Sequence, residues 1–274
     1  MLAGQRQMLI LEEVRRRGAV RVSELTELLD VSDMTIRRDL DVLATSGLVE
    51  KVHGGATARE RLSTDEPGFE AKSHRQLEEK EAIAQAASRL VEPGQAIGIT
   101  DGTTTWRLAH EIRHVPDLTV VTNSIQVANV FHREPRLDLT VVLTGGVRTP
   151  SDALVGPVAV NTLRSLHVDM LFMGVHGITE DGGLTTPNLL EAETDRALVS
   201  IAERVVVVAD HTKWGVHGLS RIARLDEVHV LISDARLPEE ARTTLSEHVQ
   251  QVVVAPLRGR RRARNASFDG DGRP

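Results

Sequence analysis

The sequence predicts two folds in series: a small three-helix head that ends in a β-ribbon, and a larger α/β domain built on a mostly parallel sheet. Three observations predict this. Apolar residues recur at helical spacing in three segments before residue 46, separated by short turns. A short extended stretch, Leu48-Val49-Glu50-Lys51-Val52-His53, then runs into Gly54-Gly55. From Glu78 onward, short apolar runs alternate with helical patterns, which argues for a parallel sheet covered by helices on both faces.

In the head, Gln5 to Arg17 is read as a helix with Met8, Leu11 and Val14 inward and Ile10 beside them. Arg15, Arg16 and Arg17 suit the negative end of its dipole, and Gly18 closes it. Ser23 is expected to cap a second helix with Leu25, Leu28 and Leu29 on its inner face. Asp30-Val31 is a tight connection to a third helix, capped by Ser32, packed through Ile36, Leu40 and Leu43, and closed by Gly47. Helix lengths and the short second turn match helix-turn-helix geometry, so residues 1–57 are read as a winged helix-turn-helix domain. Residues 58–77, polar and holding Pro67 and Gly68, are read as a linker or arm.

The α/β domain is placed at 78–256. A helix over 78–91 precedes a strand at 96–100, and further strands are expected at 118–121, 139–143, 168–173, 205–209, 228–232 and 252–254. Helices are expected between most of them, at 106–115, 124–131, 157–166, 189–203 and 238–249. Right-handed crossovers would gather the loops after the strands on one edge, where ligands bind in such sheets. Residues 257–274, rich in arginine and without apolar periodicity, are read as a disordered tail.

Composition narrows the function. Of 274 residues 41 % are hydrophobic, enough for globular cores, and the absence of cysteine excludes disulfides and thiolate metal sites. No stretch approaches the ~20 apolar residues of a membrane helix, and the first residues lack the pattern of a signal peptide, so a cytoplasmic protein without membrane contact is expected. The net charge is −6, and the first 60 residues hold nine Lys/Arg against ten Asp/Glu. A weakly charged monomer binds DNA poorly, so a homo-oligomer, dimer or tetramer, is expected to engage several phosphates at once.

The third helix carries the candidate DNA-reading surface. Opposite its apolar face stand Met34, Arg38 and Asp41, flanked by Thr35 and Arg37. Arginine pairs with guanine O6 and N7, while Ser32 and Thr35 hydroxyls at a helix start suit phosphate oxygens. Lys51 and His53 on the ribbon would touch the flanking backbone of a double-stranded operator. The candidate set is Ser32, Asp33, Met34, Thr35, Arg37, Arg38, Lys51 and His53. Pattern alone favours a plain three-helix bundle with solvated arginines, because amphipathic helices bearing arginine are common. However, Val31-Ser32-Asp33-Met34-Thr35-Ile36-Arg37-Arg38-Asp39-Leu40, with Gly47-Leu48 and His53-Gly54-Gly55-Ala56 after it, resembles the signature of the DeoR/GlpR family of transcriptional regulators. That family's usual arginine before the histidine is replaced here by Lys51, one position earlier than Val52.

In the second domain, Thr100-Asp101-Gly102-Thr103-Thr104-Thr105 sits between a strand and a helix. Gly102 permits close backbone approach, and free N–H groups with three hydroxyls suit an anion, although a threonine run at a helix start, taken alone, reads more readily as a plain cap. Thr122-Asn123-Ser124, Thr144-Gly145-Gly146 and Asp210-His211-Thr212-Lys213 follow other strands and would converge on the same edge. Such a set fits a polyol phosphate: Asp101 and Asn123 for sugar hydroxyls, Thr103, Thr104 and Thr105 for phosphate, Lys213 for charge, with Gly102, Ser124, Gly145 and Gly146 lining the site. No cofactor and no metal are called for. His110 and His114, at i, i+4, lack a third ligand and read as a helix face; Trp106 and Trp214 read as packing residues.

The segments "DGTT", "TNS", "TGG", "GLTTPN" (Gly183 to Asn188) and Ala209 to Gly215 also stand in the order of the same family. The resemblance implies a sensor akin to ribose-5-phosphate isomerase that binds a phosphorylated sugar, and a repressor of carbohydrate-metabolism genes. Two positions depart from the family: His176 replaces an acid and Asp195 replaces a base. The rival function is a sugar-phosphate isomerase or lyase with Asp101 or Glu191 as general base and Lys213 as electrostatic group. A third is a DNA binder indifferent to any ligand.

Overall fold

The computed structural model describes residues 2–17, 19–45, 48–52, 54–58, 68–133 and 136–257. Contacts divide the chain into two units, Met1–Leu62 and Ser63–Pro274.

The first unit runs α1 (Ala3–Arg17), β1 (Ala19–Arg21), α2 (Val22–Leu29), α3 (Asp33–Thr45), β2 (Val49–Val52) and β3 (Gly55–Ala58). Its three strands form an antiparallel sheet in the order β1-β3-β2. The ribbon was expected; β1 was not. That short strand buries Val20 between exposed neighbours and adds a third rung against which α1 packs. Its presence turns α1, so Ile10 and Val14 are fully buried while Met8, expected inside, is 62 % exposed. A side chain at Gly55 would stand 2.1 Å from the Val20 carbonyl oxygen, so the β1–β3 approach requires glycine there.

The second helix also starts earlier than expected. Arg21 occupies its cap position, with its N–H donated to the Glu24 carboxylate, and Ser23 lies exposed within the first turn. Val22 and Leu25 are buried, and Leu28 faces out. Asp30, in the left-handed conformation at φ 50°, turns the chain toward α3. There the expectation holds: Ile36, Leu40 and Leu43 are buried with Ile10, Val14, Val20, Val22, Leu25, Val49 and Ala56 in one core. The Ser32 hydroxyl accepts the Thr35 N–H at 3.3 Å.

The second unit opens with α4 (Phe69–Ser73) and α5 (Leu77–Ser88). The chain then alternates through β4 (Ala96–Ile99), α6 (Thr103–Ile112), β5 (Thr119–Thr122), α7 (Ile125–His132) and β6 (Thr140–Leu143). A hairpin of β7 (Val147–Arg148) and β8 (Leu154–Val155) leads to α8 (Pro157–Leu163) and β9 (Val168–Met173). After it come β10 (Gly177–Thr179), β11 (Gly183–Thr186), α9 (Leu189–Ser200), β12 (Ala202–Val208), β13 (Ser220–Ala223), β14 (Val230–Asp234), α10 (Glu239–His248) and β15 (Gln251–Ala255). Seven strands, β15-β14-β12-β9-β4-β5-β6, form one sheet with every neighbouring pair parallel. All seven coincide with the runs read from sequence to within a few residues. The hairpin and the small antiparallel sheet β10-β11-β13 were not foreseen.

Two apolar layers cover this sheet. One joins α5, α6 and α7 through Ile83, Ala87, Leu108, Ile112 and Phe131 to Ile97, Ile99, Val120 and Phe172. The other sets Leu163, Leu198 and Leu245, with Ile178, Leu184 and Ile222 of the antiparallel sheet, against Val121, Leu171, Val207 and Leu231. Both layers are required because a parallel sheet exposes apolar side chains on two faces. From β4 the chain winds outward through β5 to β6, then returns to the other side of β4 as β9. The order reverses between β4 and β9, and sheets of this kind bind ligands in the crevice outside the C-terminal strand ends at such a point.

Candidate functional site

On α3, Met34 is 78 % exposed, and Arg38 and Arg37 face solvent beside it. Asp33 suits the positive end of the helix and holds the Arg37 Nε at 2.5 Å, one turn on. Ser32 and Thr35 share a hydroxyl–hydroxyl hydrogen bond of 2.8 Å. Lys51 of β2 is ion-paired with Asp41 of α3, which clips the ribbon to the helix. So of the basic candidates, Arg37 and Lys51 have carboxylate partners, and the Arg38 side chain stands on the same exposed face as Met34. His53 lies outside the described residues. Beneath this face, Asp39 is buried and accepts from Arg6 Nε at 2.5 Å, Arg6 Nη2 at 3.3 Å and Gln7 Nε2 at 2.9 Å. That forked contact fastens α1 to α3, and the sequence analysis assigned Asp39 no structural role. Arg38→Ala is expected to lose about 1–3 kcal/mol of sequence preference. Competition titrations with single-base operator variants check this, and an unchanged ranking removes Arg38 from base reading.

In the second unit the Thr-rich turn crowns the reversal point. Thr100 N–H donates to the Phe172 carbonyl of β9, and the Thr100 hydroxyl accepts from Gly174 N–H at 3.0 Å. These bonds tie the loops after β4 and β9 together. Gly102 takes φ 132°, and a side chain there would meet the Thr105 hydroxyl at 3.0 Å. Thr105 is fully buried and its hydroxyl donates to the Gly102 carbonyl, so it shapes the turn from within. Thr103 and Thr104 are nearly buried at the first turn of α6. Ser124 caps α7 by accepting the Val127 N–H at 3.2 Å. Asn123 Oδ1 accepts the Asp101 N–H at 2.9 Å, and Asn123 Nδ2, fully buried, has no hydrogen-bond partner.

Strand spacing ranks these loops. Neighbouring strands lie about 4.8 Å apart, so β4 and β12, with only β9 between, are roughly 10 Å apart, the span of one sugar phosphate. The loop of Gly145 and Gly146 follows β6, four strands from β12 and about 19 Å from it by the same spacing. By this spacing Asp101 and Lys213 follow strands about 10 Å apart, Asn123 is bonded to Asp101 from the next strand out, and Gly145 and Gly146 lie farther to one side. Gly146, at φ 122°, serves the β7–β8 hairpin: a side chain there would stand 2.5 Å from the Val155 carbonyl.

Two charged groups flank the crevice. On the α5 side, Lys80 is buried, and its Nζ donates to the Lys72 carbonyl at 2.7 Å. Burial lowers its pKa to about 8; Asp210 opposes that shift, while Lys213, Arg107 and Lys72 add to it. Lys72 Nζ reaches the Ser151 hydroxyl at 2.9 Å. Lys213 is held by a rigid loop: Asp210 caps it through the Thr212 N–H, and His211 donates its backbone N–H to Asp234 at 2.8 Å. The His211 ring, 3.1 Å from the same carboxylate, has its pKa raised: burial lowers it, but the Asp234 carboxylate outweighs burial. Lys72 and Lys80 were missed. A signal existed for Lys80, which falls at i, i+3, i+4, i+7 with the buried Ile83, Ala84 and Ala87.

On the opposite side stand acids. Asn188 caps α9 by accepting the N–H groups of Leu190 and Glu191. Glu191 is buried and accepts the hydroxyls of Thr149 at 2.8 Å and Thr186 at 3.2 Å. Asp195, one turn along, is buried with Oδ1 unpartnered. Its pKa is raised well above the usual carboxylate range, first by burial and then by the charges of Asp101 and Glu191. Trp106 packs edge-on between Phe69 and His110, in agreement with a packing role, and no cluster of metal-ligating residues occurs among the described residues.

A helix-turn-helix head joined to an α/β domain with a polar crevice defines a class: DNA-binding regulators that carry their own sensor. Comparison with known proteins identifies the family. The model for the DeoR-like helix-turn-helix domain matches residues 6–61, and that for the DeoR C terminal sensor domain matches residues 75–235. The HTH-type transcriptional regulator GolR of Listeria innocua is 36 % identical over 86 % of this chain and 92 % of its own. The HTH-type transcriptional repressor CsqR of Escherichia coli is 32 % identical over 88 % and 91 %, and the glycerol-3-phosphate regulon repressor of the same species is 32 % identical over 91 % and 98 %. The chain belongs to the DeoR family of transcriptional regulators. Among solved structures, a D-ribose-5-phosphate isomerase in complex with phospho-erythronic acid overlaps 49 % of this chain and 52 % of its own at TM-score 0.37 and 15 % identity.

Proposed function

We propose that this protein represses carbohydrate-metabolism genes by gripping operator DNA through α3, and that a phosphorylated sugar in the β4–β9–β12 crevice alters that grip. One observation carries the reading: the charges of Lys72 and Lys213 act on Lys80, which is buried and bonded to the Lys72 carbonyl, so three lysines share one neighbourhood. Clustered cations of this kind favour a phosphate dianion. Asp101 and Asn123 supply acceptor and donor groups for sugar hydroxyls. Relatives named as the lactose phosphotransferase system repressor and the glycerol-3-phosphate regulon repressor support a sugar-linked regulator. Because the relatives are regulators, the isomerase reading is the weaker one. A homo-oligomer in the cytoplasm completes the reading, since paired heads would recognise a two-part operator. No helix among the described residues is long and apolar enough to cross a membrane.

The effector must bind the two DNA-gripping states unequally, since equal affinity shifts nothing. Lys213→Ala is expected to leave operator affinity in place and to raise the sugar-phosphate concentration needed for a response at least about tenfold, the equivalent of one charge-assisted hydrogen bond. Band-shift titrations of wild type and variant with the same sugar panel test it. An unchanged response midpoint in the variant removes Lys213 from the crevice.

A further inference from the structure

The seven-stranded sheet ends on one side in β6, and that edge is open to solvent. Val141 is 36 % exposed, Leu143 is 43 % exposed, and Thr140 beside them is exposed as well. Native proteins blunt such edges with charge, proline or a bulge, because free N–H and C=O groups otherwise recruit another strand. From Thr140 to Thr144 there is no charge, no proline and no glycine. At the far edge of the sheet, β15 keeps Val252, Val253 and Val254 half-buried.

The backbone fixes what β6 offers. Thr140 and Thr144 donate their N–H groups inward, to the carbonyls of Leu118 and Thr122. Alternate residues of a strand turn their backbone groups to opposite sides, so Val141 and Leu143 direct theirs outward. Side chains alternate too. Val142 packs against the layer that holds Leu163 and Leu171, and Val141 stands with Leu139 on the α7 face. On that face an open cavity of about 460 Å³ lies between α7 and β6, lined by Phe131, His132, Arg136, Leu139 and Val141.

The strand is also a chemical palindrome. From either end, Thr140-Val141-Val142-Leu143-Thr144 reads hydroxyl, apolar, apolar, apolar, hydroxyl. A second copy turned about a two-fold axis at Val142 lies antiparallel and sets like against like. Val142 meets Val142, Val141 meets Leu143, and Thr140 comes opposite Thr144, whose own side chain is buried. The outward groups of Val141 and Leu143 then fall in the hydrogen-bonded pairs of the new ladder, and Val142 falls in the pair between them. Leu143 of the second copy stands opposite Val141, a wall of the cavity. No foreign strand is matched to this edge by its own sequence; this chain is.

We propose that two copies of this chain join edge to edge through β6, antiparallel about Val142, into one continuous sheet. This rests on the homo-oligomer reading above and names its surface. Sedimentation velocity on the full chain tests it with two variants of equal polarity at the exposed positions. Val141→Lys/Leu143→Lys opposes lysine to lysine and should weaken self-association at least about hundredfold. Val141→Lys/Leu143→Glu opposes lysine to glutamate in this register and should stay within about tenfold of wild type. Cross-linking adds a second readout. The chain has no cysteine, so Val142→Cys introduces a single thiol. It sits at a non-hydrogen-bonded pair, where Cα atoms lie about 4.5 Å apart, within disulfide reach. Mild oxidation should give a covalent dimer from Val142→Cys and none from Val158→Cys, exposed on α8. An oligomer whose mass the lysine pair leaves unchanged overturns the inference and leaves the homo-oligomer reading standing. Equal dissociation of both charged variants, or an oligomer in which Val142→Cys stays uncross-linked, does the same. Wild-type protein that sediments as a monomer at every concentration overturns both. The cross-link decides the matter even if the charged variants fold poorly.

Discussion

Replacing Lys80 by methionine is expected to make the second domain more stable and ten- to hundredfold less sensitive to its ligand. The pKa of Lys80 falls from 10.5 to about 8 on folding, chiefly through burial. A depressed lysine pKa means that folding disfavours the charged form. Stability from this group is therefore full above pH 10.5, falls as pH drops through the range down to about 8, and stays low below it. Two and a half pH units correspond to roughly 3 kcal/mol of lost stability at pH 7. Methionine follows the same path among Ile83 and Ala84 without the charge, but leaves the Lys72 carbonyl without its donor, which takes back about 1 kcal/mol. The net gain of about 2 kcal/mol would raise Tm by roughly 4–8 °C at pH 7. That gain should shrink steadily between pH 8 and 10, where the native lysine sheds its proton. At the same time the variant should lose a phosphate contact and respond to the effector only at ten- to hundredfold higher concentration, about 1.4–2.7 kcal/mol. Thermal unfolding at pH 7 and 9.5, with effector titrations beside it, checks both halves. A variant that melts lower at pH 7 would show that Lys80 is held by compensating contacts.

The second large effect lies in the head. Asp39→Ala should abolish operator binding while leaving ligand binding intact. The carboxylate joins Arg6 and Gln7 of α1 to α3 through three hydrogen bonds in a nearly closed environment. Removing it leaves three N–H donors facing an apolar methyl. A head of this size has little stability in reserve, because small domains bury a small share of their surface. Loss of the clasp frees α1 from the helix that must present Arg38 and Met34. Asp39→Asn keeps the shape and two acceptor sites on its oxygen, and should lose less. Band shifts and calorimetry on the same preparations separate the outcomes. Wild-type operator affinity in Asp39→Ala would show that α1 is dispensable to the posture of α3.

Much of this architecture was legible in the residue order, and the exceptions have physical causes. The seven parallel strands announce themselves as apolar runs because both faces are covered, so no alternation blurs them. The third helix was legible because Ile36, Leu40 and Leu43 keep one face and Ser32 marks its start. The strand Ala19–Arg21 was hidden, since three residues carry too little pattern and its reality depends on pairing with Gly55-Ala56-Thr57 across the head. The same pairing turned the buried stripe of α1 away from Met8. In the crevice, the glycine and threonine turns were visible because they sit at fixed offsets after strands. Their partners were not. Lys80 and Asp195 look like solvated charges on amphipathic helices, and only the packing of α5 and α9 against neighbouring strands buries them. Thr105 and Ser124 show the converse: hydroxyls read as ligand groups turn inward to hold the Gly102 turn and the start of α7.

The account stands on the link between the crevice and the DNA helix. Fluorescence anisotropy of a labelled fragment from immediately upstream of the gene, held half-saturated with the full-length protein, measures that link directly. Stepwise addition of pentose and hexose phosphates is expected to move the anisotropy along a saturable curve with at least one compound, and Lys213→Ala is expected to displace that curve to higher concentration. Binding to the fragment that every compound leaves untouched, at concentrations that saturate the crevice by calorimetry, would contradict it.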